Sequence, residues 1–299
     1  MMYRLHPIRL IVIATLGITA ACGDDSDGPA GTGGQVAVLV GAGDIARCGS
    51  EATAATAALL DDIPGIVFTT GDNVGDDGSL AAFEQCYDPT WGRHKSRTRP
   101  SPGNHDYDVP GAAGYFQYFG SVAGDPSKGY YSYDVGAWHI IVLNSVKDEV
   151  DTSKGSEQEQ WLRADLAATD KECVLAYWHH PRFYSHPSWT KNFSVLPFWQ
   201  ALYEAGAEIV VNGHFHLYER YAPQDPDGGL DRETGIRQFT VGTGGNWLYP
   251  AQPAAPNIEA RNNNTYGVLK LTLEPGGYAW EFIPAAGGTF KDSGRGTCH

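Results

Sequence analysis

The 299-residue sequence predicts an α/β fold whose sheets are mixed. Three observations lead there. Short apolar runs end in polar turns of the Gly-Asp or Gly-His type, at Gly43-Asp44, Gly71-Asp72 and Gly213-His214. Segments of helical character stand between these runs. Two further runs, over residues 130–135 and 138–144, flank Gly136 at hairpin spacing, so the sheets are mixed rather than wholly parallel.

The chain starts with Arg4 and Arg9, then an apolar run over residues 10–21 that is too short to span a bilayer. Thr19-Ala20-Ala21 leads to Cys22, which reads as a lipoprotein-type signal peptide over residues 1–21 with Cys22 acylated. The alternative is an ordinary secretory signal cut near Ala21. On either reading the protein is exported, and its only tie to a membrane is the lipid on Cys22. Residues 22–35 are rich in Gly and Asp and read as a flexible tether. Residues 36–299 read as one catalytic domain.

Within it, residues 36–40 read as a buried strand and residues 50–60 as an Ala-rich helix capped by Ser50. Residues 66–70 form the next strand, and residues 80–85 a short helix. Residues 109–119, rich in Gly and Tyr, read as loop. Their aromatics Tyr115, Phe116, Tyr118 and Phe119 serve either as packing or as a stacking surface for substrate. After the hairpin, Ser156-Glu157-Gln158-Glu159 is a capping box opening a helix to residue 168, with Trp161, Leu162 and Leu166 inward. Residues 174–178 form a strand that delivers His179. Residues 198–204 are helical, and residues 208–211 form a strand that delivers His214. Late strands are expected over residues 238–241, 266–273 and 278–282. The Gly242-Thr243-Gly244-Gly245 stretch reads as a tight turn. No lysine or helix start follows, as a phosphate cradle would need.

The formal charge is −14 with no basic stripe, which argues against binding a nucleic-acid backbone. An acidic protein that handles phosphate needs a local positive centre, and metal ions supply one. Apart from Cys22, four cysteines remain, an even number that suits two disulfides in an exported chain. Sequence alone does not fix the pairing; Cys48–Cys86 with Cys173–Cys298 is the one adopted.

Asp44, Asp72, Asn104, His179, His214 and His216 are carboxylate, amide and imidazole groups at strand exits, a donor set for two metal ions, iron, zinc or manganese. Asp72 is the natural bridge between them, since one carboxylate reaches two cations. Asp44 and His216 then hold the first metal, and Asn104, His179 and His214 the second. His105 follows a ligand and is assigned to the transition state or the leaving oxygen as a catalytic residue. The reaction expected is in-line attack on phosphorus by a metal-bound hydroxide. His180, Arg182 and Arg220 are candidates for the substrate pocket, and Tyr184, His186 and Trp189 for its mouth.

Gly-Asp, Gly-Asp-Asn, Gly103-Asn104-His105-Asp106, His179-His180-Pro181 and Gly213-His214-Phe215-His216, in that order, resemble the calcineurin-like metallophosphoesterase superfamily. The ending through Leu217-Tyr218-Glu219-Arg220 is similar to its purple acid phosphatase branch. The resemblance implies a four-layer α/β/β/α sandwich with metals at the edge of two packed sheets, and it supports the ligand roles just given. Two positions depart from the pattern. Gly75 stands where purple acid phosphatases carry the tyrosine that colours ferric iron. Ala46 stands where other branches carry a histidine. Neither Asp76 nor Asp77 is assigned to the gap, and the protein is expected not to be purple.

The function these observations imply is an exported phosphomonoesterase of acid-phosphatase type acting on a small phosphorylated substrate. Its alternatives are a phosphodiesterase or nucleotide hydrolase on the same core, and a non-catalytic surface protein with a degenerate metal site.

Overall fold

The computed structural model describes residues 35–75, 77–187, 190–250 and 252–299. The expected signal, and the tether up to residue 34, lie outside these residues. Six strands form one sheet: β1 (Ala37–Ala42), β2 (Ile66–Thr70), β3 (Thr98–Ser101), β11 (Gly267–Glu274), β12 (Gly277–Pro284) and β13 (Asp292–Thr297), in the order β13-β12-β11-β1-β2-β3. Seven form the other: β4 (Tyr131–Val135), β5 (Trp138–Val142), β6 (Cys173–Tyr177), β7 (Ile209–Asn212), β8 (Tyr218–Tyr221), β9 (Arg237–Val241) and β10 (Ile258–Asn262), in the order β10-β8-β9-β7-β6-β5-β4. Both are mixed. The strands β1, β2 and β3 run parallel, as do β5, β6, β7 and β9, while the remaining pairings are antiparallel.

The central strands are buried throughout and mostly apolar because both their faces are covered, as buried parallel strands require. Ile140, Val142, Leu175 and Tyr177 point into a core shared with Leu269 and Leu271 of the first sheet. Their neighbours Ile141, Val174 and Ala176 point the other way, onto a second core with Leu162, Phe198, Trp199 and Leu202. That reversal at each residue is the period-two geometry of a strand. Leu162 belongs to α4 (Glu157–Ala168) and the other three to α5 (Leu196–Glu204). On the far side, Ala57 and Leu60 of α1 (Glu51–Asp61) join the first core, and α1 packs against β11. The result is the four-layer α/β/β/α sandwich.

Local signals fixed several ends. Ser156 caps α4, its hydroxyl accepting the Glu159 N–H at 3.2 Å, as a capping box predicts. Ser50 does precede α1, but its hydroxyl donates to the Gly245 carbonyl at 2.9 Å and caps nothing. The expected short helix is one turn, α2 (Leu80–Ala82), followed by a wide turn over Phe83–Tyr87.

Residues 109–119 are not all loop: Ala113–Phe119 form α3. Gly114 and four aromatics lower helix propensity by about 3 kcal/mol in total. Burying Tyr115, Phe116, Tyr118 and Phe119 returns about 6 kcal/mol or more, so packing wins. The rings of Tyr115, Tyr118 and Phe119 meet Phe83, the last two also meet Tyr87, and Phe116 packs edge-on against Tyr115, which makes all four core and not a stacking surface for substrate. The strand β3 went unread because Thr98-Arg99-Pro100-Ser101 has no apolar run, and an edge strand is where a sheet tolerates proline. The disulfides are Cys48–Cys86 and Cys173–Cys298, as adopted above. Among the described residues no helix is long and apolar enough to cross a membrane.

His139 on β5 is buried between two carboxylates, with Nδ1 at 2.7 Å from Asp134 and Nε2 at 2.8 Å from Asp165 of α4. Burial pulls its pKa down, but the Asp165 and Asp134 contacts outweigh this and hold it above the ordinary value. A histidine raised on folding stabilises fully below its unfolded pKa, about 6.5, and loses that contribution as pH rises through the folded value. The melting-temperature gap between wild type and His139→Phe is therefore expected to be wider at about pH 5.5 than at about pH 9. An equal gap at both pH values would show that the ion pairs contribute nothing.

Candidate metal centre

Every loop that carries a candidate ligand leaves the carboxyl end of a strand, where open α/β sheets build their sites. The strand β1 delivers Asp44, β2 delivers Asp72, β3 leads to Asn104, β6 to His179, and β7 to His214 and His216. The loops approach so closely that two glycines are obligatory. A Cβ on Gly71 (φ +83°) would lie 2.7 Å from the Gly103 Cα and from Nδ1 of His179. One on Gly103 would lie 2.2 Å from the Asp72 backbone N. Asp44 (φ 56°), Asp72 (φ 49°) and His214 (φ 71°) hold left-handed backbone, a strain of about 1–3 kcal/mol each that the surrounding packing must sustain.

The six candidate ligands converge. Nε2 of His179 lies 3.2 Å from Asp72 Oδ2, 3.0 Å from Asn104 Oδ1 and 3.2 Å from Nδ1 of His214. That Nδ1 lies 3.1 Å from the same Asn104 oxygen. Nε2 of His216 lies 3.2 Å from Asp44 Oδ1. Ligand atoms of Asp44, Asp72 and His179 sit within 4.8 Å of one another. His179 and His216 are oriented alike: Nδ1 donates to a carbonyl, of Thr70 at 2.8 Å and Trp247 at 2.7 Å, leaving Nε2 as the free lone pair.

Carboxylate, amide and imidazole lone pairs thus face one another in a buried place. Asp44 Oδ1 is buried and accepts no hydrogen bond, an arrangement that costs energy unless a cation satisfies it. The donor set therefore fits metal ions. Protons compete with cations for these lone pairs. Burial lowers the His179 pKa, yet Asp72 overrides it and pushes the value up to about 9. Burial raises the Asp72 carboxyl, but His179 and His105 pull it well below the carboxylate range. Burial and the neighbouring His179 bring His214 down to about 4.

Around the ligands, His105 is half exposed; its N–H donates to Asp72 Oδ1 at 2.8 Å and its Nδ1 meets Asp108 Oδ2 at 2.8 Å. His180 rests its ring 4.4 Å from that of His214. Ser145 Oγ accepts the His180 backbone N–H at 2.9 Å and lies 2.9 Å from His180 Nδ1; where the serine donates its proton to Nδ1, the ring N–H sits on Nε2. Burial, His179 and His214 keep that imidazole neutral.

Arg182 and Arg220, expected in the pocket, are committed elsewhere. Arg182 is fully buried, donates to the carbonyls of Asn192 (3.2 Å) and Pro226 (2.9 Å), and stacks on Phe183 and Phe193. Arg220 pairs with Asp292 at 2.7 Å and with Glu259, over the Trp280 ring. Both are structural because the residue after His-His-Pro, and the end of β8, turn into the fold. At the expected mouth, Tyr184 stacks on Phe215 with ring centroids 4.5 Å apart. Trp189 and Asp76 lie outside the described residues. Asp77 is exposed and its Oδ1 accepts the Ser79 N–H at 2.9 Å. Ala46 is buried, and a Cβ on Gly75 would meet Nδ2 of Asn246 at 2.6 Å, so that amide occupies the neighbouring space.

Sequence reasoning passed over Asn73 and Asp106, which brace the ligand loops. Buried Asp106 accepts N–H groups from Asn73 at 3.2 Å, from the Asn73 amide at 3.0 Å and from Gly103 at 2.8 Å. Burial, then the Asp72 charge, raises its pKa to about 7. The signal was present in the final residues of Gly-Asp-Asn and Gly-Asn-His-Asp.

Residues 37–218 match the calcineurin-like phosphoesterase family, and the chain belongs to it. Its relatives there are purple acid phosphatases. It is 29% identical over 159 residues to purple acid phosphatase 15 of Arabidopsis thaliana, a match covering 46% of this chain and 29% of that one. Among solved structures, purple acid phosphatase PPD1 from yellow lupin superposes with a TM-score of 0.72 at 21% identity, covering 88% of this chain and 54% of that one. GAP50, the anchor in the inner membrane complex of Plasmodium, has a TM-score of 0.69 at 13% identity, covering 88% and 89%. The curated relatives are matched over well under half their length. Membership of this family implies a dinuclear metal centre.

Asp106→Ala would strand three buried N–H groups. It is expected to destabilise the domain by about 2–4 kcal/mol and to weaken metal binding about 10–100-fold. Denaturant unfolding and metal titration of the variant measure both; unchanged metal affinity would remove Asp106 from the support of the site.

Proposed function

We propose that the chain is an exported, metal-dependent phosphomonoesterase of acid-phosphatase type, acting on small phosphorylated substrates. The observation that carries this reading is the convergence of six lone-pair donors, two of them imidazoles pre-oriented by backbone carbonyls, around the uncompensated Asp44 oxygen. Asp44, His216 and Asp72 would hold one ion, and Asp72, Asn104, His179 and His214 the other. When bound, such a pair neutralises phosphate oxygens and acidifies water for attack on phosphorus.

The chain's own groups then do the following. His180, kept neutral, offers its Nε2–H as a donor beside His214, suited to an equatorial phosphate oxygen. His105 reaches solvent and is steadied by Asp108, so it is placed to protonate the departing alkoxide. The closeness of Asp72 favours the charged form of His105. Two disulfides accord with an oxidising compartment. The same fold serves an anchor protein, so the site and not the fold carries the functional reading.

Hydrolysis of an aryl phosphomonoester and a bis-aryl phosphodiester, metal-stripped and then with manganese, zinc or iron restored, tests the reading. Metal-dependent turnover with the monoester preferred is expected, and His105→Ala should lower kcat about a hundredfold or more. Diester preference would replace the reading with a phosphodiesterase, and inactivity with every metal would leave a non-catalytic protein.

Metal uptake should also be pH-dependent. His179 must lose the proton it holds up to about pH 9 before Nε2 can bind a cation. Affinity is therefore expected to rise with pH through that range, with proton release seen calorimetrically in buffers of different ionisation enthalpy. A flat affinity between about pH 6 and pH 9 would exclude His179 from the ligands.

A further inference from the structure

One exposed aromatic surface beside the centre has no structural role that accounts for it. Trp247 is 51% exposed, unusual for so large an apolar side chain. Its carbonyl accepts Nδ1–H of His216, and its ring centroid lies 5.8 Å from that of the histidine. Tyr249 stacks on His216 at 4.2 Å and 17°. The Arg47 guanidinium, itself exposed, lies 5.1 Å from the centre of the indole.

Both partners are held in place. The Trp247 N–H is bound by Asn246 Oδ1 at 3.0 Å, and the Asn246 N–H donates to the Asp44 carbonyl at 2.9 Å. Arg47 sits between Ala46, whose N–H donates to the Asn73 carbonyl at 3.0 Å, and Cys48, which is bonded to Cys86. A half-open indole carrying a cation, within reach of a phosphate at the candidate ligand cluster, suits a planar π-system attached to an anion. Anchoring of the two loops that carry these side chains lowers the cost of ordering them on binding.

We propose that Trp247 and Arg47 form the subsite for the alcohol portion of the phosphoester, and that this portion is aromatic, an aryl group or a nucleobase. The ring stacks on the open indole surface while Arg47 favours the negative charge of the ester. This rests on the phosphohydrolase reading, so its test separates the two by using ligands that cannot be turned over.

Benzylphosphonate and cyclohexylmethylphosphonate match in charge and carbon count, only the first has a planar π-face, and neither has an ester bond to break. Calorimetry with the metal-loaded full domain is expected to give about tenfold tighter binding of benzylphosphonate. The preference should fall to about twofold or less in Trp247→Ala, whose backbone carbonyl still holds His216, and persist in Trp247→Phe. Equal binding of the pair by wild type, or a preference that survives Trp247→Ala, would overturn the subsite. Comparing the methylenephosphonate analogues of adenosine 5′-phosphate and ribose 5-phosphate, which also lack a cleavable ester bond, in the same variants assigns the ring: a Trp247-dependent gap here marks a nucleobase, and its absence beside a gap for the first pair marks an aryl group. Phosphonate preference without ester hydrolysis would sink the hydrolase reading and leave the subsite standing. Hydrolysis without the preference would do the reverse.

Discussion

The structure depends on a seam where the two sheets meet at their carboxyl ends. Gly43 N–H donates to the Val241 carbonyl at 2.9 Å, Gly244 N–H to that of Gly43 at 3.0 Å, and Asn246 N–H to that of Asp44 at 2.9 Å. These bonds join the loop after β1, in the first sheet, to the end of β9 and the loop after it, in the second. Without them Asp44 and Asp72, borne by one sheet, would have no fixed relation to His179, His214 and His216, borne by the other. The centre is thus a product of inter-sheet registration, and the core packed between the two sheets keeps that registration rigid.

Two destabilising features are concentrated at this seam and share one origin. Three candidate ligands hold left-handed backbone, and buried carboxylates face imidazole nitrogens. Straight strand exits would relieve the strain but send the side chains apart. A less polar set would relieve the electrostatic cost but bind nothing. Asn73 and Asp106 partly offset both by hydrogen-bonding the ligand loops to one another, which places the supporting shell on the backbone instead of on further ligands.

Much of this was legible in the sequence, for identifiable reasons. The strands β2, β5, β6 and β7 are covered on both faces, so they read as unbroken apolar runs, and turn residues mark where they stop. The convergence of the six candidate ligands was legible because the turns carry their chemistry in the motif itself. The helix α3 was not, since its existence rests on Phe83 and Tyr87, distant partners that no local propensity reports. The strand β3 lacks a pattern because it is an edge. Arg182 and Arg220 misled because sequence proximity to a ligand says nothing about where a long side chain turns. The Trp247 shelf was invisible for the opposite reason: its neighbours, Arg47 and His216, come from loops far away in the chain.

The Cys173–Cys298 bond bears on the same seam from far away. Cys173 is the first residue of β6, at the end opposite His179, and Cys298 follows β13 of the other sheet, so the bond crosses the sandwich at its base. The two sheets are therefore fastened at both extremities, by the ligand loops at the top and by a covalent link below. Sliding of one layer over the other is arrested at two points. Reduction would remove the lower link and enlarge the unfolded ensemble, so the reduced sandwich would draw a larger share of its stability from bound ions.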